Sequence, residues 1–268
     1  MKLFYFIPDS SMSFKYSSDG SDSLFLNTLS TICSTYIYKR LAIVSIPKNA
    51  KLIHHGKFIC TNKWKIEKVI NTKDWEMWDD EDFCLNAVKQ TRNALRFVRN
   101  QTEAICIEAV KHCGSILENI ESQTDTICLE AVKQDGLALK FVKNQSDEIC
   151  LEAVKQHGWS LNFVENRTDE ICLEAVKQCG LGLQFVKYQT PEICLEAVKK
   201  SGFCLRFVKE QTDEICLEAV KQDGLALKFV KKQTRIICIE AVKQNIRATK
   251  YIKKKFKTIL IEAIKKLN

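Results

Sequence analysis

The sequence predicts a mainly α protein in which residues 79–268 form an α-solenoid of about nine 22-residue helix-turn-helix repeats. The first observation is a cysteine that recurs every 22 residues from Cys84 to Cys238, with Leu260 in the ninth position. The second is that threonine and glycine recur at fixed places in the same period, where helices begin and end. Residues 1–78 lie outside the period and are predicted to form a small α+β or β-rich N-terminal cap domain.

The predicted cap domain is assigned from short segments that Pro, Asn and Gly residues separate. Leu3–Ile7 and Leu41–Ile46 are β-prone runs. Lys51–Cys60 and Trp64–Ile70 are expected to form further strands or a short helix. The segment Leu24–Tyr38, which is rich in Ser and Thr, is expected to be helical.

Three tryptophans stand just before the first repeat, at Trp64, Trp75 and Trp78. A solenoid needs something to cover the apolar end of its first repeat. We therefore expect these side chains to seal that end. The alternative, that they fill the core of the cap itself, stays open.

The first helix of a repeat is predicted most directly from Gln211–Lys231, which differs from Gln123–Lys143 at one position. Thr212 is a favoured helix N-cap, and the acidic residues that follow it suit the positive end of the helix dipole. Pro191, just after the cap in another copy, is favoured at the first helical position. Apolar residues then follow with helical spacing at Ile215, Cys216, Ala219 and Val220.

The second helix of a repeat is predicted from the apolar spacing that follows Gly224. Glycine adopts the left-handed C-cap conformation without strain, so Gly224 is expected to end the first helix. A second helix of about ten residues should then run to the region of Gln233. The same glycine recurs at Gly114, Gly136, Gly158, Gly180 and Gly202.

The C-terminal end of the array carries a basic run followed by one last apolar segment. The run comprises Lys253, Lys254, Lys255 and Lys257. The segment Thr258–Leu267 is predicted to form a single helix that caps the array with a charged outer side.

The thirteen cysteines invite a disulfide or metal interpretation, which their positions do not favour. Eight share one place in the repeat, on the predicted apolar face, where a free cysteine behaves as a small hydrophobe. Bridged cysteines need Cα atoms within about 7 Å, closer than stacked repeats bring equivalent residues. The nearest approach to a zinc pattern, Cys33, His54, His55 and Cys60, has the wrong spacing. We predict reduced thiols, no metal and no cofactor.

The repeated pattern EICLEAVKQxGxxLxFVKxQT resembles a family of short two-helix repeats of unknown function, common in giant DNA viruses of amoebae and present in some intracellular bacteria. The resemblance covers residues 80 to 268. The segment from Leu41 to Lys51 is similar to leader segments found before such arrays in viral proteins. The resemblance implies a helical repeat protein from a virus, and it implies no activity, cofactor or catalytic residue.

Comparison of the copies within the chain favours a protein-interaction scaffold with an unknown protein partner. The first helix barely changes between copies, whereas the turn and the second helix do, as expected for a frame that presents a binding surface. Trp159 and Phe203 replace a leucine and are expected in the core. The candidate partner-binding residues are Asn162, Gln184, Tyr188 and Arg206.

The alternative function is electrostatic binding of nucleic acid or another polyanion, because the formal net charge is +8. A lysine row on the second helix would follow a phosphate backbone. Glu121 and Glu165 interrupt this row, and no aromatic residue is an obvious stacking platform. The row consists of Lys143, Lys187, Lys209, Lys231 and Lys253.

No enzymatic activity is predicted, because the four histidines lie in no arrangement with Ser, Cys or carboxylate that nucleophilic catalysis requires. The apolar run at the N-terminus stops at Pro8, too short for a signal peptide. No segment approaches the length of a membrane span. We expect an intracellular protein in a reducing compartment and, from the resemblance, in the host cytoplasm or a virion.

Overall fold

The structure is a computed structural model that describes the backbone of residues 2–7, 24–26, 40–45, 52–55, 58–61 and 65–256. Side chains are described from Lys73 to Lys254 and at Phe256. The chain divides into two compact units, residues 1–127 and residues 128–268, which we call the N-terminal and C-terminal units. Within residues 72–256, the described backbone is built from helices and turns and contains no strand.

Strands in the N-terminal unit precede the repeats and pair antiparallel in two three-stranded sheets. The first sheet has the order Lys2–Ile7, Arg40–Ser45, Lys65–Asn71, and the second the order Leu24–Leu26, Phe58–Thr61, Leu52–His55.

The helix predicted over Leu24–Tyr38 is wrong at its start. Leu24–Leu26 is a strand that pairs with Phe58–Thr61, because backbone pairing with a neighbouring strand outweighs local preference. Residues 27–38 and Trp64 lie outside the described residues. A separate cap domain over residues 1–78 stays a prediction.

Two of the three tryptophans pack against the first repeat. Trp78 is fully buried, with its ring stacked on Phe97 at 5.2 Å between centroids and edge-on to Phe83. Trp75 also meets Phe83 edge-on, at 5.0 Å. These contacts agree with the predicted seal, because Phe83 and Phe97 belong to the two helices of that repeat.

Each repeat contributes one α-helix of ten residues, and we number the repeats 1 to 8 by these helices. The helix begins after a capping side chain: the Thr212 hydroxyl accepts a hydrogen bond from the backbone N–H of Ile215 at 3.2 Å. Pro191 opens the helix of repeat 6, as predicted. The helices are Glu81–Gln90, Glu103–His112, Asp125–Gln134, Asp147–Gln156, Asp169–Gln178, Pro191–Lys200, Asp213–Gln222 and Arg235–Gln244.

The predicted apolar face of this helix is confirmed. In repeat 7 the buried residues are Ile215, Cys216, Ala219 and Val220. Equivalent helices of neighbouring repeats contact one another within each unit, so that these small side chains form a continuous core. Each of the eight repeated cysteines is buried on this face of its own helix and forms no disulfide.

The second helix is not the ten-residue helix that the sequence predicted. It is a six-residue 3₁₀-helix, closed by bonds such as that from the Val230 N–H to the Leu227 carbonyl at 3.2 Å. With three residues per turn, Gly224, Leu227 and Val230 share the buried side. The 3₁₀-helices of the repeats are Arg92–Phe97, Gly114–Asn119, Gly136–Phe141, Gly158–Phe163, Gly180–Phe185, Gly202–Phe207, Gly224–Phe229 and Ile246–Tyr251.

The glycine of each repeat has another role than the predicted left-handed C-cap. The α-helix of repeat 7 ends at Gln222, and Asp223 after it is extended, with φ −147° and ψ 110°. The repeat glycines of the C-terminal unit also lie outside the left-handed region. Glycine is needed because the next repeat approaches closely: a Cβ on Gly158 would stand 2.6 Å from the backbone oxygen of Ala175.

The described chain ends just after repeat 8, with a short 3₁₀-helix at Lys254–Phe256. The predicted capping helix Thr258–Leu267 lies outside the described residues. Among the described helices, none has the length and apolar character that crossing a membrane requires.

Candidate partner-binding face

The 3₁₀-helices of repeats 3 to 8 present one continuous surface in the C-terminal unit, since each contacts the next. We define the 3₁₀ face as the second, fifth and sixth residues of these helices. The second residues are Leu137, Trp159, Leu181, Phe203, Leu225 and Arg247. The fifth residues are Lys140, Asn162, Gln184, Arg206, Lys228 and Lys250. The sixth residues are Phe141, Phe163, Phe185, Phe207, Phe229 and Tyr251.

Three large apolar side chains stand exposed at the second position of successive repeats. Trp159 is 39% exposed, Leu181 38% and Phe203 40%. The prediction that Trp159 and Phe203 lie in the core is therefore wrong. In a 3₁₀-helix the first and fourth residues share the buried side, so the second residue points away from it.

Each of the two aromatic rings at this position packs roughly perpendicular to a phenylalanine ring of the following repeat. The Trp159 ring meets Phe185 at 5.5 Å between centroids, and the Phe203 ring meets Phe229 at 5.7 Å, both edge-on. Such pairs fix the ring orientation and leave the opposite face open. The face therefore carries oriented aromatic surfaces, contrary to the prediction that it offers no stacking platform.

A groove of about 410 Å³ runs beside the Trp159 ring and is open to solvent. Asn162, one of the predicted binding residues, lies at its wall and is exposed. No acidic residue contributes to the walls. The groove is lined by Leu137, His157, Trp159, Asn162, Phe163 and Phe185.

Two further predicted residues share the fifth position with Asn162 and differ in what they contact. The Gln184 amide donates to the Leu181 carbonyl in its own helix at 3.1 Å. The guanidinium carbon of Arg206 lies 5.0 Å from the centroid of the Phe207 ring and 6.0 Å from that of Phe229. The structure therefore brings Asn162, Gln184 and Arg206 onto one surface, one in each of three successive repeats.

The remaining predicted residues lie in the turns that follow the 3₁₀-helices. Tyr188 is 74% exposed, and the Lys187 ammonium stands 5.2 Å from the centroid of its ring. Both line a second groove of about 410 Å³ together with Lys209 and Pro191. This second groove shares no lining residue with the groove beside Trp159.

The predicted lysine row lies elsewhere than the sequence predicted. These lysines occupy the turn and not a helix. The Lys209 ammonium donates to the Lys187 carbonyl at 2.5 Å, and the Lys231 ammonium to the Lys209 carbonyl at 2.6 Å. Lys253 bonds to the Lys231 carbonyl in the same way, at 2.8 Å. These three bonds tie three of the turns to the turns before them, and Lys143 at the start of the row is exposed.

A glutamine just before the capping residue joins one repeat to the next at five places, and sequence reasoning missed it. The Gln211 amide donates to the Phe229 carbonyl at 3.0 Å and accepts from the Lys231 N–H at 2.9 Å. The thiol of Cys216 donates to the same amide oxygen at 3.7 Å. We call these residues junction glutamines. They are Gln101, Gln145, Gln189, Gln211 and Gln233.

Arg167 replaces the junction glutamine between repeats 4 and 5. Its guanidinium group donates backwards within repeat 4, to the Leu161 carbonyl at 3.1 Å and the Asn162 carbonyl at 3.2 Å. Among the described residues it makes no bond to the end of the next 3₁₀-helix. The signal was present in the sequence, because arginine stands where six other copies have glutamine.

The buried thiols are poorly suited to nucleophilic chemistry. Burial, with a smaller contribution from nearby acidic side chains, raises the pKa of Cys106, Cys150 and Cys216 to about 11. The neutral thiol is therefore the form present near neutral pH. Within the part of the chain that the structure describes, no group of three or more His, Cys, Asp or Glu side chains is arranged to hold a metal ion.

Comparisons with known proteins place the repeats in a family and give no function. No curated protein matches the chain, and no solved structure does. One family model matches five overlapping segments, each of two repeats, which together span half of the chain. The segments are residues 124–169, 146–190, 168–212, 190–236 and 212–257. The chain therefore belongs to the family described as a domain of unknown function, DUF4116, and the predicted 22-residue helical repeats are the units of that family.

Proposed function

We propose that this protein is a non-enzymatic helical-repeat scaffold that binds another protein through the 3₁₀ face of its C-terminal unit. One observation carries the proposal: Trp159, Leu181 and Phe203 are exposed at the same position of three successive repeats. Contiguous exposed apolar surface is a feature of interaction sites, since it costs free energy when it faces water. The predicted binding residues Asn162 and Arg206 stand on the same surface.

The division of each repeat supports this role. The α-helices keep nearly one sequence, for example in Asp147–Gln156, Asp169–Gln178 and Asp213–Gln222, which are identical. In repeats 3 to 7 the second and fifth residues of the 3₁₀-helices vary, while the buried leucine of each helix stays the same. A constant frame with a variable exposed surface is how repeat proteins present binding sites.

The proposal that the protein is not an enzyme, and that it needs no cofactor, rests on its ionisable groups. Its buried thiols are held neutral, and the repeated glutamates such as Glu196 pair with a lysine of the same helix, here Lys199 at 2.8 Å. Surface pairs of this kind are typical of a solvated helix and not of an acid–base pair. The resemblance to viral repeat proteins further supports a viral source, with the protein in a reducing compartment of the host cell or in the virion.

Binding of nucleic acid is the second candidate, and one specific observation favours it. Cations stand next to half-buried aromatic rings on the 3₁₀ face, as at Lys140 beside Phe141, where the ammonium is 4.4 Å from the ring centroid. Bases stack on such rings while cations meet phosphates. The turn lysines support it less, because their ammonium groups already bond to carbonyls.

Affinity purification with matched variants tests the scaffold. We expect the double variant Trp159→Ala, Phe203→Ala to lose a protein partner that the unaltered chain captures from expressing cells. A control variant, Glu152→Ala with Glu196→Ala, changes the exposed side of the α-helices and should keep the partner. A partner retained by the first variant, or lost by both, would contradict binding through the 3₁₀ face. A gel shift with mixed DNA and RNA at low salt tests the second candidate, which fails without a complex.

A further inference from the structure

The charged residues of the 3₁₀ face are all of one sign. The six 3₁₀-helices of repeats 3 to 8 contain basic side chains and no acidic one. Their basic residues are Lys140, Arg206, Lys228, Arg247 and Lys250. The α-helices of the same unit differ, because most of them open with acidic residues, as at Asp213 and Glu214.

The cations stand beside aromatic rings and not at a distance from them. Arg206 lies 5.0 Å from the ring centroid of Phe207, and the Lys250 ammonium lies 4.8 Å from that of Tyr251. In repeat 7, the Lys228 ammonium lies 5.7 Å from its neighbouring ring. These charges are exposed, so a carboxylate can approach them from solvent while its neighbouring carbons contact the ring.

The groove beside Trp159 and the row of cations from Arg206 to Lys250 lie in different repeats of the face. Repeats 4 and 5 carry Asn162 and Gln184 at the fifth position, and the groove beside Trp159 lies there. Repeats 6 to 8 carry a cation at that position in each repeat. A ligand that lies along the 3₁₀ face therefore meets an apolar groove first and a basic row next.

We infer that the 3₁₀ face of the C-terminal unit binds an acidic peptide segment that carries a large apolar side chain. The apolar side chain enters the groove beside Trp159, and the carboxylates meet Arg206, Lys228 and Lys250. This inference rests on the proposed function and names the chemistry of the partner. Charge complementarity carries it, since a basic row without an acidic residue suits an acidic ligand.

A peptide fits this surface better than a nucleic acid. A phosphate backbone needs a continuous track of cations, and the fifth position is uncharged in repeats 4 and 5. The groove wall at Leu137 and Phe163 suits an alkyl or aryl side chain.

The length of the peptide follows from the repeat spacing. Packed helices lie about 8–10 Å apart, so the surface from repeat 4 to repeat 8 extends for about 40 Å. An extended chain covers about 3.3 Å per residue, so a segment of roughly 12–15 residues reaches both parts.

Selection from a phage-displayed library of random 15-residue peptides, with the full chain immobilised, tests the inference. We expect enriched peptides to combine several Asp or Glu residues with Trp, Phe or Leu. A labelled enriched peptide should bind the Arg206→Glu, Lys228→Glu variant about tenfold more weakly, by fluorescence anisotropy, and the Trp159→Ala variant more weakly as well. The matched control Lys221→Glu, Lys243→Glu makes the same change of charge on the α-helices and should keep the affinity. Added salt should weaken binding to the unaltered chain.

Several results would overturn the inference. Enrichment of neutral or basic peptides would do so, and so would equal loss of affinity in the face variant and the control. A 15-nucleotide thymidine strand that binds more tightly than the enriched peptide would assign the face to nucleic acid. If a protein partner still depends on Trp159 and Phe203 while no acidic peptide binds, the scaffold stands and the inferred chemistry is wrong. If no protein partner depends on Trp159 and Phe203 and no acidic peptide binds, both the scaffold proposal and the inferred ligand chemistry fail.

Discussion

The two halves of each repeat are held in place by different parts of the chain. The α-helix is fixed by its own residues: Thr212 caps its first turn, and its small apolar side chains form its buried face. The 3₁₀-helix is fixed by its neighbours, because Gln211 of the preceding repeat bonds at its end and Gly224 at its start packs on the following repeat. The start and the apolar face of the α half are therefore set by local sequence, whereas the ends of the 3₁₀ half are set by contacts with neighbouring repeats.

This difference explains where the chain tolerates variation. The bonds that hold the 3₁₀-helix use backbone groups, such as the Phe229 carbonyl and the Lys231 N–H. The side chains on its exposed side are not needed for these bonds. They are free to differ between repeats, and four experiments test this difference between the two halves.

The largest effect should come from alkaline pH, which acts mainly on the α half. Burial raises the pKa of Cys84, Cys106, Cys150, Cys204 and Cys216 to about 11, above the ordinary thiol value of about 8.5. The unfolded chain therefore loses thiol protons at a lower pH than the folded chain. The free energy of unfolding should fall as the pH rises from about 9 to about 11, and it should be insensitive to these thiols below about 8.

Urea unfolding at a series of pH values measures this effect. Other groups also titrate in this range, so the control is the Cys216→Ala variant. It should show a shallower fall, by up to about 1.4 kcal/mol per pH unit for one thiol. An unchanged slope in this variant would contradict the assignment.

The second effect tests the close approach at the start of the 3₁₀-helix. A Cβ on Gly180 would stand 2.8 Å from the Ala197 backbone oxygen and 3.0 Å from the Cys204 sulfur. We expect Gly180→Ala to lower the free energy of unfolding by about 3 kcal/mol, because neither neighbour moves easily. Thermal or urea unfolding measures the change.

Gly182, two residues later in the same helix, provides the control. A Cβ there has its nearest neighbours at 3.7 Å, and alanine already occupies this position at Ala138 and Ala226. Gly182→Ala should leave the stability unchanged or raise it by up to about 1 kcal/mol. Equal destabilisation by both variants would show that backbone freedom, and not the close approach, explains the glycine.

The third effect concerns the junction glutamine. Gln211→Ala removes two bonds that join repeats 6 and 7, to the Phe229 carbonyl and from the Lys231 N–H. We expect a loss of about 2 kcal/mol, since partly buried groups are left unpaired. The control is Gln156→Ala. Gln156 donates one exposed hydrogen bond to Glu152 within the α-helix of repeat 4, and its loss should lower the free energy of unfolding by under about 0.5 kcal/mol. Similar losses in the two variants would remove the distinction between the halves.

The smallest effect repairs the junction that lacks a glutamine. Arg167→Gln supplies an amide for the Phe185 carbonyl and the Lys187 N–H, the groups equivalent to those that Gln211 bonds. We expect the free energy of unfolding to rise by about 1 kcal/mol. Arg167→Ala is the control and should give no increase. If the two variants unfold at the same urea concentration, the junction geometry does not transfer between repeats.

The α half could be predicted from sequence almost completely. Its start at Thr212, the proline at Pro191 and the buried positions Ile215 and Val220 all follow from local chemistry, and each is present. The helix and its cap are made by residues within four positions of one another. Sequence periodicity reports such short-range features well.

The 3₁₀ half could not be predicted in the same way. Its apolar spacing fits a 3.6-residue period and a three-residue period equally over six residues, and the groups that bond at its end, such as the Gln211 amide, belong to another repeat. The wrong period placed Trp159 and Phe203 in the core. The role of position 167 could not be predicted either. The residue at a junction bonds to partners about twenty positions away, as Gln211 does to Lys231, and local periodicity does not report such distant pairs.

The junction glutamine also bears on how such a gene changes length. Every bond it makes to the next repeat joins residues 18 or 20 positions apart, so removing or duplicating a block of 22 residues gives each amide an equivalent partner. Unequal recombination can therefore add or delete whole repeats without leaving a broken junction. The near identity of Gln123–Lys143 and Gln211–Lys231 is what such copying would leave behind.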